Sequence, residues 1–269
     1  MVSKRIKVII SLIVVVLIAI FVLFTVMKKP ELYSKEDIEL IIENNLPYMK
    51  EILLSENPVF AGCIAYSTDN ISVCNVLKGD DEKQTCQNDY CIYTLLSHQC
   101  EKIERNQQIM SIKPTSIIAY MEVCRALKSK SCKDLSGEMK KICELLISLN
   151  AQDCISFPEL NVSKSECKSL VYLYAAISKN DSSYCENIPK FYERNVCISL
   201  VSKGECETVL NDIARDWIRF SLSRTLYNHT DISLCDSIKY KEIKKACKDP
   251  SIIYEEIIRN SDNLVKLNQ

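Results

Sequence analysis

Fifteen cysteines in a chain of 269 residues are the side chains with the most chemistry to offer. Thiols can pair as disulfides, hold soft metals or exchange disulfides, and their spacing separates these uses. Zinc ribbons and thioredoxin-like sites use C-x-x-C, and a thiol-lined helical metal store needs cysteines one helical turn apart. Neither C-x-x-C nor C-x-x-x-C occurs, and Cys86 and Cys91, five apart, are the closest pair. Five segments repeat a different pattern: SVCNVLKGDDEKQTC, KSCKDLSGEMKKIC, QDCISFPELNVSKSEC, SYCENIPKFYERNVC and SLCDSIKYKEIKKAC. Each opens with a cysteine, has an apolar residue three positions later and closes on a second cysteine after 12, 11, 13, 12 and 12 residues. A disulfide needs Cα atoms about 4.4–6.8 Å apart, which a helical hairpin provides between the start of one helix and a residue on the next. The constant spacing favours Cys74–Cys86, Cys132–Cys143, Cys154–Cys167, Cys185–Cys197 and Cys235–Cys247, with Cys100–Cys124 a looser sixth, and leaves Cys63, Cys91 and Cys206 over. A rival register pairs each helix cysteine with the next start, as in Cys63–Cys74 and Cys197–Cys206, but its separations run from 8 to 18. Fifteen is odd, so at least one thiol is free or bonded to another chain.

Other reactive groups are sparse. The two histidines, His98 in SHQC and His229 in YNHTD, form no H-E-x-x-H, and there is neither a G-x-S-x-G elbow nor a P-loop. Asp80 with Asp81 and Glu255 with Glu256 are adjacent in sequence and point apart on a helix. Trp217 between Arg215 and Arg219 reads as a core residue from its helical spacing. No catalytic residue, cofactor site or metal ligand is assigned. Lys plus Arg total 34 against 35 Asp plus Glu, so the basic footprint of a nucleic-acid binder is missing.

The elements that must position these cysteines are helical. Four glycines are far below the usual share of roughly 7%, which speaks against a turn-rich β fold. Seven repeat starts, Cys74, Cys100, Cys132, Cys154, Cys185, Cys206 and Cys235, are 21 to 32 residues apart, the range of two-helix repeats. Ser72, Ser183 and Ser233, two residues before their cysteines, are expected to cap short first helices. In the unit from Ser182 to Cys206, Pro189 ends the short helix, a longer one runs to about Ser202, and Gly204 stops it. Such hairpins bury their apolar faces only by stacking, so residues 60–250 are expected to form an all-α, α-solenoid-like array of disulfide-braced hairpins. The units after Cys100 and Cys206 lack a cysteine at the usual distance; the second holds one helix in which Val209, Ile213, Trp217 and Phe220 line up. Before the array, residues 28–59 read as two juxtamembrane helices, opened by Ser34 with Asp37 and by Pro47. After it, residues 251–269 read as a C-terminal helix.

The amino terminus places the whole. Residues 8–27, VIISLIVVVLIAIFVLFTVM, carry no charge and would span about 30 Å as a helix, the thickness of the bilayer core. Bulky Phe24, Val26 and Met27 at its end favour an uncleaved signal anchor over a cleaved signal peptide. Lys4, Arg5 and Lys7 precede the run, making residues 1–7 a cytoplasmic tip. All fifteen cysteines follow the run, where an oxidising exterior keeps disulfides. The expectation is a single-pass protein of the cell membrane, N-terminus inside and C-terminal domain outside. The outer part, with 29 basic and 35 acidic residues, is not drawn to anionic lipid. Glycosylation acceptor patterns stand at Asn70, Asn161, Asn180 and Asn228.

The pattern D/N-x-S-x-C-x-x-I with a second cysteine about twelve residues on, as in NISVCNVL, NDSSYCENI and TDISLCDSI, resembles the cysteine-bearing helical repeats of uncharacterised exported or membrane-anchored archaeal proteins. The likeness covers roughly residues 60–250; it implies architecture and supplies no catalytic residues. The function expected is that of a binding or structural interaction module whose partner is a protein or a glycan. The alternative is an extracytoplasmic thiol protein that binds soft metal or exchanges disulfides. Accessible thiols would separate the two.

Overall fold

The computed structural model describes residues 34–158, 162–202, 206–225 and 232–249. The apolar run 8–27, the tip 1–7, the tail 251–269, Asn161, Gly204, Asn228 and His229 lie outside the described residues. No described helix is long and apolar enough to cross a membrane. Among the described residues the secondary structure is helical, apart from one isolated antiparallel bridge between Phe157 and Val162.

Two compact units are distinguished, residues 1–44 and 45–269. The first is described only from Ser34, at the start of α1 (Lys35–Glu56), a helix that continues into the second unit. Ser34 and Asp37 close a reciprocal cap there: the Ser34 N–H donates to Asp37 Oδ2 at 3.0 Å and the Asp37 N–H to Ser34 Oγ at 3.1 Å. The two helices expected before residue 59 are one, because the helix runs on through Pro47. A proline inside a helix removes one backbone bond without forcing a break where the flanking turns are held.

The second unit carries ten further helices among the described residues. They are α2 (Pro58–Thr68), α3 (Asp80–Leu96), α4 (Cys100–Asn106), α5 (Pro114–Ser129), α6 (Gly137–Ser148), α7 (Lys164–Lys179), α8 (Phe191–Val201), α9 (Cys206–Thr225), α10 (Ile232–Asp236) and α11 (Lys241–Lys248). Short 3-10 turns, Ile71–Val76, Ala151–Asp153 and Ser182–Asn187, precede three of them. Local chemistry explains the boundaries. Asn57 caps α2 by accepting from the N–H groups of Val59 and Phe60, with Pro58 at the first helical position. Ser163 and Glu166 form a full capping box on α7.

Five helix ends take the left-handed conformation with residues other than glycine. Asp69, His98, Lys130, Leu149 and Asn180 all stand at φ between 51° and 58°. At Asp69, His98, Lys130 and Asn180 the next residue's N–H reaches back five positions, with bonds of 2.9–3.0 Å to Ala65, Thr94, Ala126 and Ala176. This is the left-handed helix ending usually given to glycine.

The caps of the cysteine-bearing turns differ from those expected. Ser72 and Ser183 do not cap them; Asn70 and Asp181 do, each accepting from the serine N–H two residues on. An Asx side chain reaches that N–H better than a hydroxyl does.

Successive helices pack in order, α3 on α5, α5 on α6, α6 on α7 and α7 on α8. An open solenoid would leave its ends apart. Here α2 packs on α3, on α8 and on α9, so the succession closes on itself, with α9 against both α2 and α8. The core is continuous from Leu53 to Cys247 and includes Phe60, Tyr90, Phe157, Leu210, Ile213 and Trp217. The α9 stripe expected from sequence is buried at Ile213, Trp217 and Phe220, and its neighbour at Leu210, Ala214 and Ile218.

Candidate functional site

Fourteen cysteines form seven disulfides with Cα–Cα distances of 5.6–6.0 Å. Six join neighbouring segments: Cys74–Cys86, Cys100–Cys124, Cys132–Cys143, Cys154–Cys167, Cys185–Cys197 and Cys235–Cys247. The seventh, Cys63–Cys206, spans 143 residues. Cys63 and Cys206 are therefore not left over. Cys63 on α2 is a helix cysteine with no start before it, and Cys206 opens α9 with no helix cysteine after it. Each supplies what the other's unit lacks, because α2 and α9 touch where the succession closes.

Cys91 is the one free thiol, and it is buried. Its Sγ lies 3.7 Å from Met110 Sδ, and burial pushes the thiol up to about 12. It is protonated at neutral pH and a poor nucleophile or metal ligand in that state. Among the described residues no group of three His, Cys, Asp or Glu is placed to hold a metal ion.

His98 is half-buried. Its ring stands edge-on to Tyr174 at 5.8 Å, and its Nδ1 is enclosed without a hydrogen-bond partner. Burial, then Lys128 and Lys130, lower its pKa, so the imidazole is neutral at pH 7 and its place at a left-handed helix end is structural. Trp217 is a core residue, edge-on to Phe220 at 5.3 Å. Beside it, Asp216 is fully buried and accepts from the backbone N–H groups of Lys239 and Tyr240 at 2.8 Å each, with Arg219 at 3.2 Å. Burial raises its pKa against the lowering effect of those bonds. Asp216 thus pins the turn between α10 and α11 to α9.

An enclosed carboxyl that sequence reasoning did not find is Asp89 of α3. Its Oδ2 is enclosed with no hydrogen-bond partner. Burial, then Glu193, then Glu166 raise its pKa well above the usual carboxylate range, while Lys190 opposes them. Lys190 is itself paired with Glu193 at 3.0 Å. Glu166 of α7 and Glu193 of α8 are more than seventy residues from Asp89 in sequence, and no local spacing could signal them. Gly62 makes the approach possible: a Cβ there would lie 2.7 Å from Asp89 Cβ and 3.0 Å from the Cys86 carbonyl.

The described surface carries a recess beside α1. A groove of about 380 Å³ is lined by Leu46, Pro47, Lys50, Glu51 and Leu54 of α1 and by Val76 of the 3-10 turn before α3. Val76 is 47% exposed, and Tyr48 on the same stretch of α1 is 66% exposed. Lys50 donates to Glu207 at the start of α9, 3.0 Å away. The lining is mainly aliphatic with two charges, a surface suited to apolar side chains and without groups arranged for bond chemistry.

No family model, curated protein or solved structure matches this chain. Its function is therefore read from its own side chains. Of the glycosylation acceptors, Asn70 and Asn180 are exposed; the Asn70 side-chain oxygen also accepts from the Ser72 N–H at 3.2 Å and from the Ser72 hydroxyl.

Proposed function

We propose that the protein is a membrane-anchored, extracytoplasmic helical-repeat protein that serves as a binding or structural interaction module. The carrying observation is that every cysteine but one is spent on a brace, seven in all. Such a set is at home outside a reducing cytosol, in keeping with an apolar run at 8–27 that holds the module at the cell membrane, N-terminus inside. Short hairpins with little core of their own gain rigidity from each bridge. The apolar groove of α1 is a surface suited to a protein partner, and the acceptor patterns at Asn70 and Asn180 are exposed. The thiol-exchange and soft-metal alternative has less to draw on, since its one remaining thiol is buried and protonated.

Two measurements test the reading. Alkylation and intact mass of protein purified without reductant should count no reactive thiol in the folded chain and one after denaturation. Several reactive thiols in the folded state, or bound copper or zinc, would transfer the argument to metal handling. Protease added to intact cells should digest the cysteine-bearing part and spare residues 1–29; full protection would refute the external placement.

A further inference from the structure

His98 stands at the corner where α3 meets its neighbours. It ends α3 in the left-handed conformation, at φ 58°, and its ring reaches α7, edge-on to Tyr174 at 5.8 Å. Two residues on, Cys100 opens α4 and is bonded to Cys124 of α5. Between them, the Gln99 side chain donates to the Tyr66 hydroxyl of α2 at 3.3 Å.

The ring is fitted to hold no charge. Its Nδ1 is enclosed and has no hydrogen-bond partner among the described residues. The neutral tautomer with its proton on Nε2 leaves only a lone pair in that enclosure, whereas the imidazolium puts an N–H there. An enclosed donor without an acceptor is unfavourable, and the nearest carbonyls in sequence are engaged. Those of Tyr93, Thr94 and Leu95, at the end of α3, already receive the backbone N–H groups of Ser97, Gln99 and His98 at 3.0–3.1 Å. The same bonds occupy the negative end of the helix, which otherwise favours a histidine cation. The charges that act on the ring, Lys128 in the last turn of α5 and Lys130 at its left-handed end, are both positive. Tyr174 of α7 stays a neutral phenol, its pKa raised by burial, and Cys100 of α4, being bonded, does not titrate.

We propose that His98 is an acid-released latch: uncharged, it closes the end of α3 on α7, and on taking up a proton the ring leaves its enclosure and frees that corner. The Cys100–Cys124 bridge keeps the opening local. Burial and the two lysines lower the pKa of the closed ring, so the open corner binds the proton more readily. The closed corner is therefore fully kept above about pH 6.5, the ordinary histidine value, and lost progressively as pH falls below it. Asp89, on the same helix, works with the opposite sign, because its burial makes acid tighten the fold. The latch is a regulatory device distinct from the interaction module's binding role, and it holds or fails whatever the partner is.

The test uses the full chain in lipid nanodiscs. Amide exchange at Ser97, His98 and Gln99, corrected for its intrinsic pH dependence, should speed severalfold from about pH 7.5 to about pH 5.5. With an open-corner value near 6.5, the ceiling over that range is about tenfold. His98→Asn suits the left-handed turn and has no titrating ring, so it should abolish the rise. Unchanged exchange in the parent overturns the proposal, and so does a rise that persists in His98→Asn, which would put the titration on another group. A second measurement is independent of how that variant folds. The chain has two histidines, so His229→Gln leaves the His98 ring as the one imidazole signal in NMR. That ring should titrate below the ordinary value of about 6.5; titration at or above it rejects the latch.

Discussion

At the level of single residues, burial decides what each titratable group can do. Asp89 illustrates the cost of an enclosed carboxyl. Its pKa is raised in the folded state, so between about pH 4, the unfolded value, and its folded value the native chain holds a proton that the unfolded chain has lost. Stability then falls as pH rises through that window and levels off above it. Asp89→Asn should remove this slope, so that its stability relative to the parent improves from pH 4 toward neutrality. Urea midpoints at several pH values measure it; parallel curves for the two proteins would sink the idea. Lys130 offers a second single-residue test, because it is exposed and held at φ 54°. Replacing it with glycine relieves the left-handed penalty, and Lys130→Gly should gain about 0.5–1 kcal/mol in chemical denaturation. A loss would show that the Lys130 side chain does more than occupy the turn.

Among the elements, the joints hold the specificity. The α2–α3 contact depends on Gly62, whose missing Cβ lets the helices close to 2.7 Å from where that atom would sit. Gly62→Ala must push α3 away or displace Asp89, and it should cost about 1–3 kcal/mol, read as a lower urea midpoint with an unchanged disulfide count. The repeat was legible to this level: the 11 to 13 spacing marks pairs that are bonded, and Ser34 with Asp37 marks a cap that exists. The turn caps were not. The serines drew attention, yet Asn70 and Asp181 cap the turns, because an Asx oxygen is better placed for the second N–H. Pro47 misled for a related reason: proline signals a helix start, but packing of its neighbours can carry the helix through.

For the molecule as a whole, Cys63–Cys206 is the closing link. Entropy lost by the unfolded chain grows with loop length, so Cys63→Ala with Cys206→Ala should cost about 4–5 kcal/mol, against about 3 kcal/mol for Cys74→Ala with Cys86→Ala. Equal losses in guanidinium denaturation would mean that the ring is held by packing alone. The sequence by itself determined the helical class, the repeat and the local braces. Each of these is a property of residues within about one hairpin, where spacing along the chain and distance in space are tied together. Only the tertiary structure decided that the succession closes, that Cys63 meets Cys206, that Cys91 is the odd thiol and that the Asp89 carboxyl is enclosed. Those partners are far apart in the chain, and what joins them is the burial of helix faces against one another, a nondirectional force that leaves no spacing to read.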